Sequence, residues 1–517
     1  MARTSSAPKT AMQRFLDGVE RVGNIVPHPV VIFLILIAIV IVLSSLLGLI
    51  GAGGTFERIN PETDEIEAIT ITLRSLLTGD GIRFMYVSLV PNFMSFTAVG
   101  LMICAMIGAG VAEASGLIQA LIRKLVTVSP PRALSYILAF VGILSSVASD
   151  AGYLVLIPLA GVAYISVGRH PLAGLALGFA AVAAAFTVNM LIKPLDAVLV
   201  EFTNDAIRLV DAETTIGLAS NIWFSIVSVV VLTILIAFIT DRMVEPRLGV
   251  YRRGGLAAKK KSGKSEQQDA ANDARGLRYA LFGLIAVVAV FCLLTLPAGA
   301  PLRHPETDEL IGNSPFMTGL IGFITIAFLA TGWAFGIGAG TLVTLSDVIK
   351  AMEKAVSGLG GTIFLFFVLS QFVAYFTYTN MGTVLALTLS DFLKTSNIGV
   401  LPLLIGFIIV VAIIDLFITG AIAKWAIFAP IFVPLLVKLG VEPEAVLAAY
   451  RVGDSPMNAI TPLNAYFALV VGFAQKYQEK AGIGTVVSLM LPYVAWIFVV
   501  WTLLFAVWKW LGLPWGL

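Results

Sequence analysis

The sequence predicts an all-α polytopic membrane protein with nine membrane-spanning helices, two opposed re-entrant hairpins, and an inverted repeat carrying one broken helix in each half. Three observations lead there. Hydrophobic residues make up 58% of the 517 positions against 12% charged, and the mean hydropathy is +0.96, far from a soluble domain's balance. Apolar runs of membrane-spanning length recur along the chain. Inside one of them lies a polar stretch, RVGDSPMNAITPLNAYF at 451–467, which holds Arg451, Asp454, Asn458 and Asn464 with Pro456 and Pro462. Proline removes a helical hydrogen bond and clashes with the preceding turn. Non-helical backbone at membrane depth persists only where protein or a water-filled cavity satisfies its freed groups. With VLAAY before it and ALVVGFA after it, the stretch reads as a membrane helix broken at a polar site.

The break has an echo half a chain earlier. NMLIKPLDA at 189–197 matches NAITPLNA at 458–465: Ile192, Pro194, Leu195 and Ala197 recur as Ile460, Pro462, Leu463 and Ala465, and Asp196 aligns with Asn464. The shift is 268 positions, from 194 to 462. Upstream, Tyr153 and Pro158 align with Trp425 and Pro430 at a shift of 272. Two matches in the same order at nearly one shift indicate an internal duplication. Interrupted hydrophobic segments at corresponding places in two halves point to a transporter's binding site.

Taken in order, residues 1–26 are polar and basic (Arg3, Lys9, Arg14, Arg21), which places them in the cytoplasm. The first repeat covers 27–241. Its first span, Val30 to Ile50, is too long for a signal-peptide core. An acidic periplasmic loop, 52–82, leads to a second span at 89–112 and then to an amphipathic surface helix, GLIQALIRKLVTV. Residues 133–167 form two arms around SSVASDAG, each too short to cross, hence a hairpin entering from the cytoplasm with Asp150 near its tip. A broken helix at 172–208 and a span at 219–241 complete the repeat. Residues 242–278 carry ten Lys or Arg and read as a cytoplasmic linker, unstructured around KKKSGKSEQQDAANDA. The second repeat, 279–517, has spans at 279–297, 315–338, 359–378 and 484–510, a hairpin at 400–438 entering from the periplasm, and a broken helix at 443–475. The C-terminus is then periplasmic. Lengths and positive charge alone make the repeats antiparallel, which is the layout of a secondary transporter in the lipid bilayer.

An ionisable residue in lipid is a functional hypothesis by default. Asp150, Lys193, Asp196, Asp415, Lys424, Arg451 and Asp454 qualify. Lys193 and Asp196 are three apart, as are Arg451 and Asp454, so each pair either forms an internal ion pair on one helix face or divides between substrate and ion. In the second reading Arg451 faces a substrate carboxylate, which guanidinium matches bidentately, and Asp196 and Asp454, with Asp150, handle the coupling ion. Asn189, Asn458, Pro462 and Trp425 join the substrate group, and Pro194, Pro443 and Pro456 shape the breaks. Trp425 either belongs to an interfacial belt or stacks on an aromatic substrate. Asp415 snorkels or pairs with Lys424. Ser145, Ser146 and Ser149 read as packing or capping groups, although hydroxyls and carbonyls at a hairpin tip suit sodium. A sodium site near Asp454 and Asn458 follows, with sodium or a proton as coupling ion and no other cofactor. Cys104 and Cys292 fall in apolar spans, and His28, His170 and His304 do not cluster, so neither a disulfide framework nor a zinc site is expected. No nucleic-acid partner is expected.

These residues resemble the p-aminobenzoyl-glutamate transporter (AbgT) family over essentially the whole chain. The resemblance is carried by the NMLIKPLDA break, by Trp425, and by Pro443, Arg451, Asp454 and Pro462 in EPEAVLAAYRVGDSPMNAITPLNAYF. It implies homodimers of nine-span subunits with two opposed hairpins in a bacterial cytoplasmic membrane. It also implies cation-driven import of p-aminobenzoyl-glutamate or expulsion of sulfonamide antimetabolites, with Asp196, Trp425, Pro443, Arg451, Asp454 and Pro462 needed for transport. Two other classes are set against it. A sodium-coupled dicarboxylate transporter shares the architecture but presents Ser-Asn-Thr at its hairpin tips, where this chain has SSVASD and TGAIAKW. An intramembrane aspartyl protease needs Gly-X-Gly-Asp, and here Arg451 stands two before Gly453.

Overall fold

The structure, a computed structural model, describes residues 27, 29–51, 53–59, 66–127, 130–148, 152–211, 213–249, 251, 263–310, 314–385, 388, 399–418 and 420–517. Among these, eight helices are long and apolar enough to cross a membrane. Seven are continuous spans: Pro29–Leu49, Thr97–Ser115, Ile222–Leu248, Ala271–Thr295, Leu320–Ala339, Gly360–Tyr378 and Ile483–Trp510. The eighth, Ala421–Lys438, is the second arm of the second hairpin, whose first arm is Val400–Asp415. The two broken helices bring the crossings to nine. The first hairpin pairs Leu134–Ser145 with Ile157–Ser166. Its arms are far shorter than the roughly 20 residues a crossing needs.

Both broken helices open on a proline at their first helical turn, where a missing N–H costs nothing: Pro171 in Pro171–Phe179 and Pro443 in Pro443–Asp454. The first continues through a π-turn at Ala180–Ala184, leaves helical geometry, and restarts at Pro194–Ile207. The second ends in a 3₁₀ turn at Pro456–Ala459 and restarts at Phe467–Gln475. The backbone N–H of Thr187 donates to Ser455 Oγ at 3.0 Å, and Thr187 Oγ1 donates to the Arg451 carbonyl at 3.0 Å. Thr187 and Ser455 are themselves 268 positions apart. Two copies of one position touch only where they meet the repeat's internal two-fold axis, so that axis passes between the two breaks.

The ends of the repeats obey the same symmetry with charges exchanged. Arg169, just ahead of Pro171, pairs with Asp241 (2.5 Å) and Glu245 at the end of the following span. Glu442, just ahead of Pro443, pairs with Lys509 at the end of the last span. Asp241 and Lys509 are again 268 apart.

Three expectations are corrected. The acidic stretch 52–82, read simply as a loop, contains an antiparallel two-stranded hairpin of Gly53–Ile59 and Ile66–Thr72. The second span begins at Thr97, because a short helix, Leu89–Met94, precedes it. The linker read as unstructured is helical from Gly263, continuous with the following span to Thr295. Its Ala, Glu and Gln are good helix formers, and Arg123 of the surface helix Leu117–Thr127 holds Asp273 through two hydrogen bonds of 2.8 and 2.9 Å. Lys259 to Lys261 lie outside the described residues.

The spans Thr97–Ser115, Ala271–Thr295 and Leu320–Ala339 pack into one group through small residues, as membrane helices do. A Cβ on Gly108 would meet the Thr325 carbonyl oxygen at 2.4 Å. The hairpins, the broken helices and the spans that follow them form the main core. There the second broken helix lies against the first arm of its hairpin so closely that a Cβ on Gly453 would meet Ile408 O at 2.7 Å and Val411 Cβ at 2.8 Å. Gly453→Ala is therefore expected to destabilise the protein by about 1–3 kcal/mol through overpacking, read as a lower melting temperature of the detergent-solubilised protein.

Candidate functional site

The first break is built by its own sequence. Lys193 precedes a proline and adopts extended backbone (φ −123°, ψ 164°), as that position requires. Asp196, in the first turn of the restarted helix, accepts from the Lys193 N–H at 2.8 Å, which satisfies an end donor and places negative charge at a helix N-terminus. Its other oxygen accepts from Arg451 Nη1 at 2.6 Å, and the same nitrogen donates to the Thr187 carbonyl at 2.8 Å. Of the two readings offered for these charges, the internal ion pairs of Lys193 with Asp196 and of Arg451 with Asp454 are not formed, and Arg451 and Asp196 pair across the repeats instead. Lys193 stands just ahead of the helix that carries Asp196, while Arg451 and Asp454 share the unbroken helix Pro443–Asp454 and pair with different neighbouring elements.

Asp454 pairs instead with Lys424, at 2.7 Å, and Lys424 also pairs with Asp415. All three side chains are fully buried. Tyr450 Oη donates to the same Asp454 oxygen at 2.8 Å, while Asp454 Oδ2 is a buried acceptor with no protein donor. Asp415 is therefore part of the cluster, and of the two fates open to it the pairing with Lys424 is the one observed.

Trp425 is enclosed by protein on every side. It is 0% exposed, stacks on Tyr450 with ring centroids 4.4 Å apart, and donates from Nε1 to Leu199 O and Thr203 Oγ1, both at 3.0 Å. Asn189 donates from Nδ2 to Leu144 O (3.1 Å) and Ser146 Oγ (3.0 Å) and accepts from Leu191 N–H (3.0 Å), so it clamps the first hairpin's tip to the break. Thr461 does the same on the other side, donating to Leu416 O at 3.0 Å. Asn458 donates to the Asp454 carbonyl at 3.1 Å. Pro194, Pro443 and Pro456 each stand in a first helical turn, and Pro462 lies in the turn after Thr461. Asp150 and Ser149 lie outside the described residues.

Between the two hairpin tips and the first break is a cavity of about 330 Å³, within the range of small-molecule sites. Ser146 and Val147 come from the first tip, Gly420, Ala421 and Ile422 from the second, and Phe186, Lys193 and Leu195 from the break, with Met102 and Met106 closing it from the second span. Lys193 is its positive group: Nζ donates to Ser146 Oγ at 3.1 Å and to the Phe186 carbonyl, and lies 5.0 Å from the centre of the Phe186 ring. A larger hollow of about 710 Å³ lies by Arg247, Lys480 and Pro492, away from both breaks. Lys193, Lys424 and Asp415 stand out in the sequence as charges but carry no substrate or ion role there, and Thr187 and Ser455 do not stand out as candidates. Their signal was present: the first three are charged in apolar segments, and the last two obey the 268-residue shift.

The profile of the AbgT putative transporter family matches residues 14–517. The chain belongs to that family. It is 33% identical over 513 residues to the p-aminobenzoyl-glutamate transport protein of Escherichia coli (strain K12), covering 99% of this chain and 98% of that one. The YdaH transporter of Alcanivorax borkumensis, a structure described as having an unusual topology, superposes with a TM-score of 0.87 at 39% identity, over 95% of this chain and all of that one. MtrF of Neisseria gonorrhoeae, described among antimetabolite efflux pumps, superposes with a TM-score of 0.90 at 38% identity, over 96% and 97% of the two chains. This AbgT-family chain is thus a multi-span membrane transporter and not an enzyme. Asp196 and Asp454 are held by different cations, so these two do not form a protease's aspartate pair.

Proposed function

We propose that this chain is a cation-coupled secondary transporter of p-aminobenzoyl-glutamate and related aromatic amide carboxylates, and that sulfonamide antimetabolites use the same route. The cavity between the two hairpin tips carries the reading. Its walls are apolar and aromatic, its one ammonium belongs to Lys193, and the restarted helix at Pro194 presents its N-terminus there, a favourable place for an anion. Arg451 and Asp196 hold the breaks together beside it, Asp454 lies in the ion-coupling region, and a sodium or proton gradient drives the cycle. The protein works as a homodimer in a bacterial cytoplasmic membrane, with its N-terminus cytoplasmic and C-terminus periplasmic. The exposed apolar side chains of the span Ala271–Thr295, such as Leu281, Phe282 and Leu293, suit lipid or a second subunit.

The test is flux of labelled p-aminobenzoyl-glutamate and of sulfamethazine in proteoliposomes, in both directions, with sodium and pH gradients imposed separately. Gradient-driven movement of either compound supports the proposal, and none under any gradient overturns it. Within this frame Lys193→Met is expected to weaken binding of p-aminobenzoyl-glutamate about tenfold or more, since a hydrogen bond to a charged group contributes about 1.5–3 kcal/mol. Binding of an uncharged sulfonamide should change far less. Equal loss for both ligands would place Lys193 in the scaffold alone.

A further inference from the structure

We infer that Lys424 is the transporter's own counter-cation: its ammonium sits between Asp415 and Asp454, where a bound sodium ion would otherwise be needed, so the cycle runs without sodium.

Asp415, Lys424 and Asp454 are each 0% exposed, and two carboxylates facing one another away from water require a positive partner. They come from three different elements: the end of the second hairpin's first arm, the first turn of its second arm, and the end of the first half of the broken helix. These are the elements from which a tip-and-break ion site would be assembled. The positive partner found there is covalent. Lys424 Nζ lies 2.7 Å from Asp454 Oδ1 and in direct contact with Asp415, and an ammonium offers three N–H donors and no acceptor. A sodium ion bound to the same oxygens would be a second unit charge within a few ångströms of the first, in a medium that screens poorly. Lys424 and sodium therefore compete for one position, and the tethered group is always present. Tyr450 Oη takes up further capacity of Asp454, at 2.8 Å. Lys424 in that position stands against a sodium site beside Asp454 and Asn458.

This inference relies on the proposed transport function only for its flux measurement, so the two can fail separately. The full-length protein in nanodiscs is compared in sodium, potassium and choline chloride at equal ionic strength. Its melting temperature should be the same in all three, and equilibrium dialysis with radioactive sodium should show no saturable binding. Lys424→Met, alone and combined with Asp415→Asn, vacates the position and should gain saturable sodium binding and a sodium-specific rise in melting temperature. Lys424→Arg, which keeps a cation there, should stay indifferent. Saturable sodium binding by the unaltered protein overturns the inference, as does a folded Lys424→Met/Asp415→Asn protein that still ignores sodium. Accumulation of p-aminobenzoyl-glutamate in sodium but not in choline would also overturn it while leaving the proposed function intact. Absence of flux in every salt would overturn the proposed function, and the binding measurements would still decide the role of Lys424.

Discussion

Arg451→Ala is expected to cost about 3–5 kcal/mol, because it leaves the Asp196 carboxylate buried without its cation. Arg451 and Asp196 are 5% and 9% exposed, 2.6 Å apart, and belong to different repeats. Breaking the pair also frees the Thr187 carbonyl, which Arg451 holds at 2.8 Å on the internal two-fold axis. The damage should therefore appear as separation of the two breaks. Asp196→Asn should be nearly as harmful, since it strands the guanidinium, whose Nε already has no partner. Arg451→Met with Asp196→Leu should recover much of the melting temperature, as apolar replacements of buried ion pairs do, but not transport. The sequence-level division of roles assigns Arg451 to the substrate and Asp196 to the ion. A direct pair predicts instead that Arg451→Lys and Asp196→Asn lose substrate binding and gradient-driven accumulation in equal measure. Paired binding and flux assays decide it: an Asp196→Asn protein that binds substrate normally but no longer accumulates it would restore the division.

Trp425→Ala should be comparably severe, at about 3–5 kcal/mol, through the cavity it opens in a closed core. Trp425 belongs to the second hairpin, stacks on Tyr450 of the second broken helix, and donates to Leu199 and Thr203 of the first. Three elements of the core thus meet on one side chain. Trp425→Phe keeps most of the volume and the stacking but loses the N–H, so it should cost about 1 kcal/mol and leave substrate affinity within a few-fold. The checks are the melting temperature of both variants and their p-aminobenzoyl-glutamate affinity. A well-folded Trp425→Ala protein that has lost only substrate affinity would show instead that the indole contacts the substrate.

Much of the fold was legible before any coordinates. The continuous spans follow from hydropathy and length, because a bilayer admits only helices of about 20 residues or closed barrels. The breaks were visible as prolines among polar residues, and the repeat as a 268-residue shift that Thr187 and Ser455 later obeyed in space. Less legible was the helix starting at Gly263, where abundant charge outweighed good helix propensity in the reading. The short strands of the acidic loop, at Gly53–Ile59 and Ile66–Thr72, also gave little signal.

What the sequence determined by itself is the inventory: which segments cross, which are too short to cross, where helices must break, and which charges lie in apolar surroundings. These follow from local chemistry, since a proline, a run of leucines or an aspartate carries its preference wherever it stands. The tertiary structure decided the pairing. Arg451 and Asp454 are three apart on one helix, yet one reaches across the axis to Asp196 and the other turns to Lys424 of the hairpin. Charge pairing depends on distances of a few ångströms in three dimensions, and spacing along one helix does not say which neighbouring element brings the opposite charge closer.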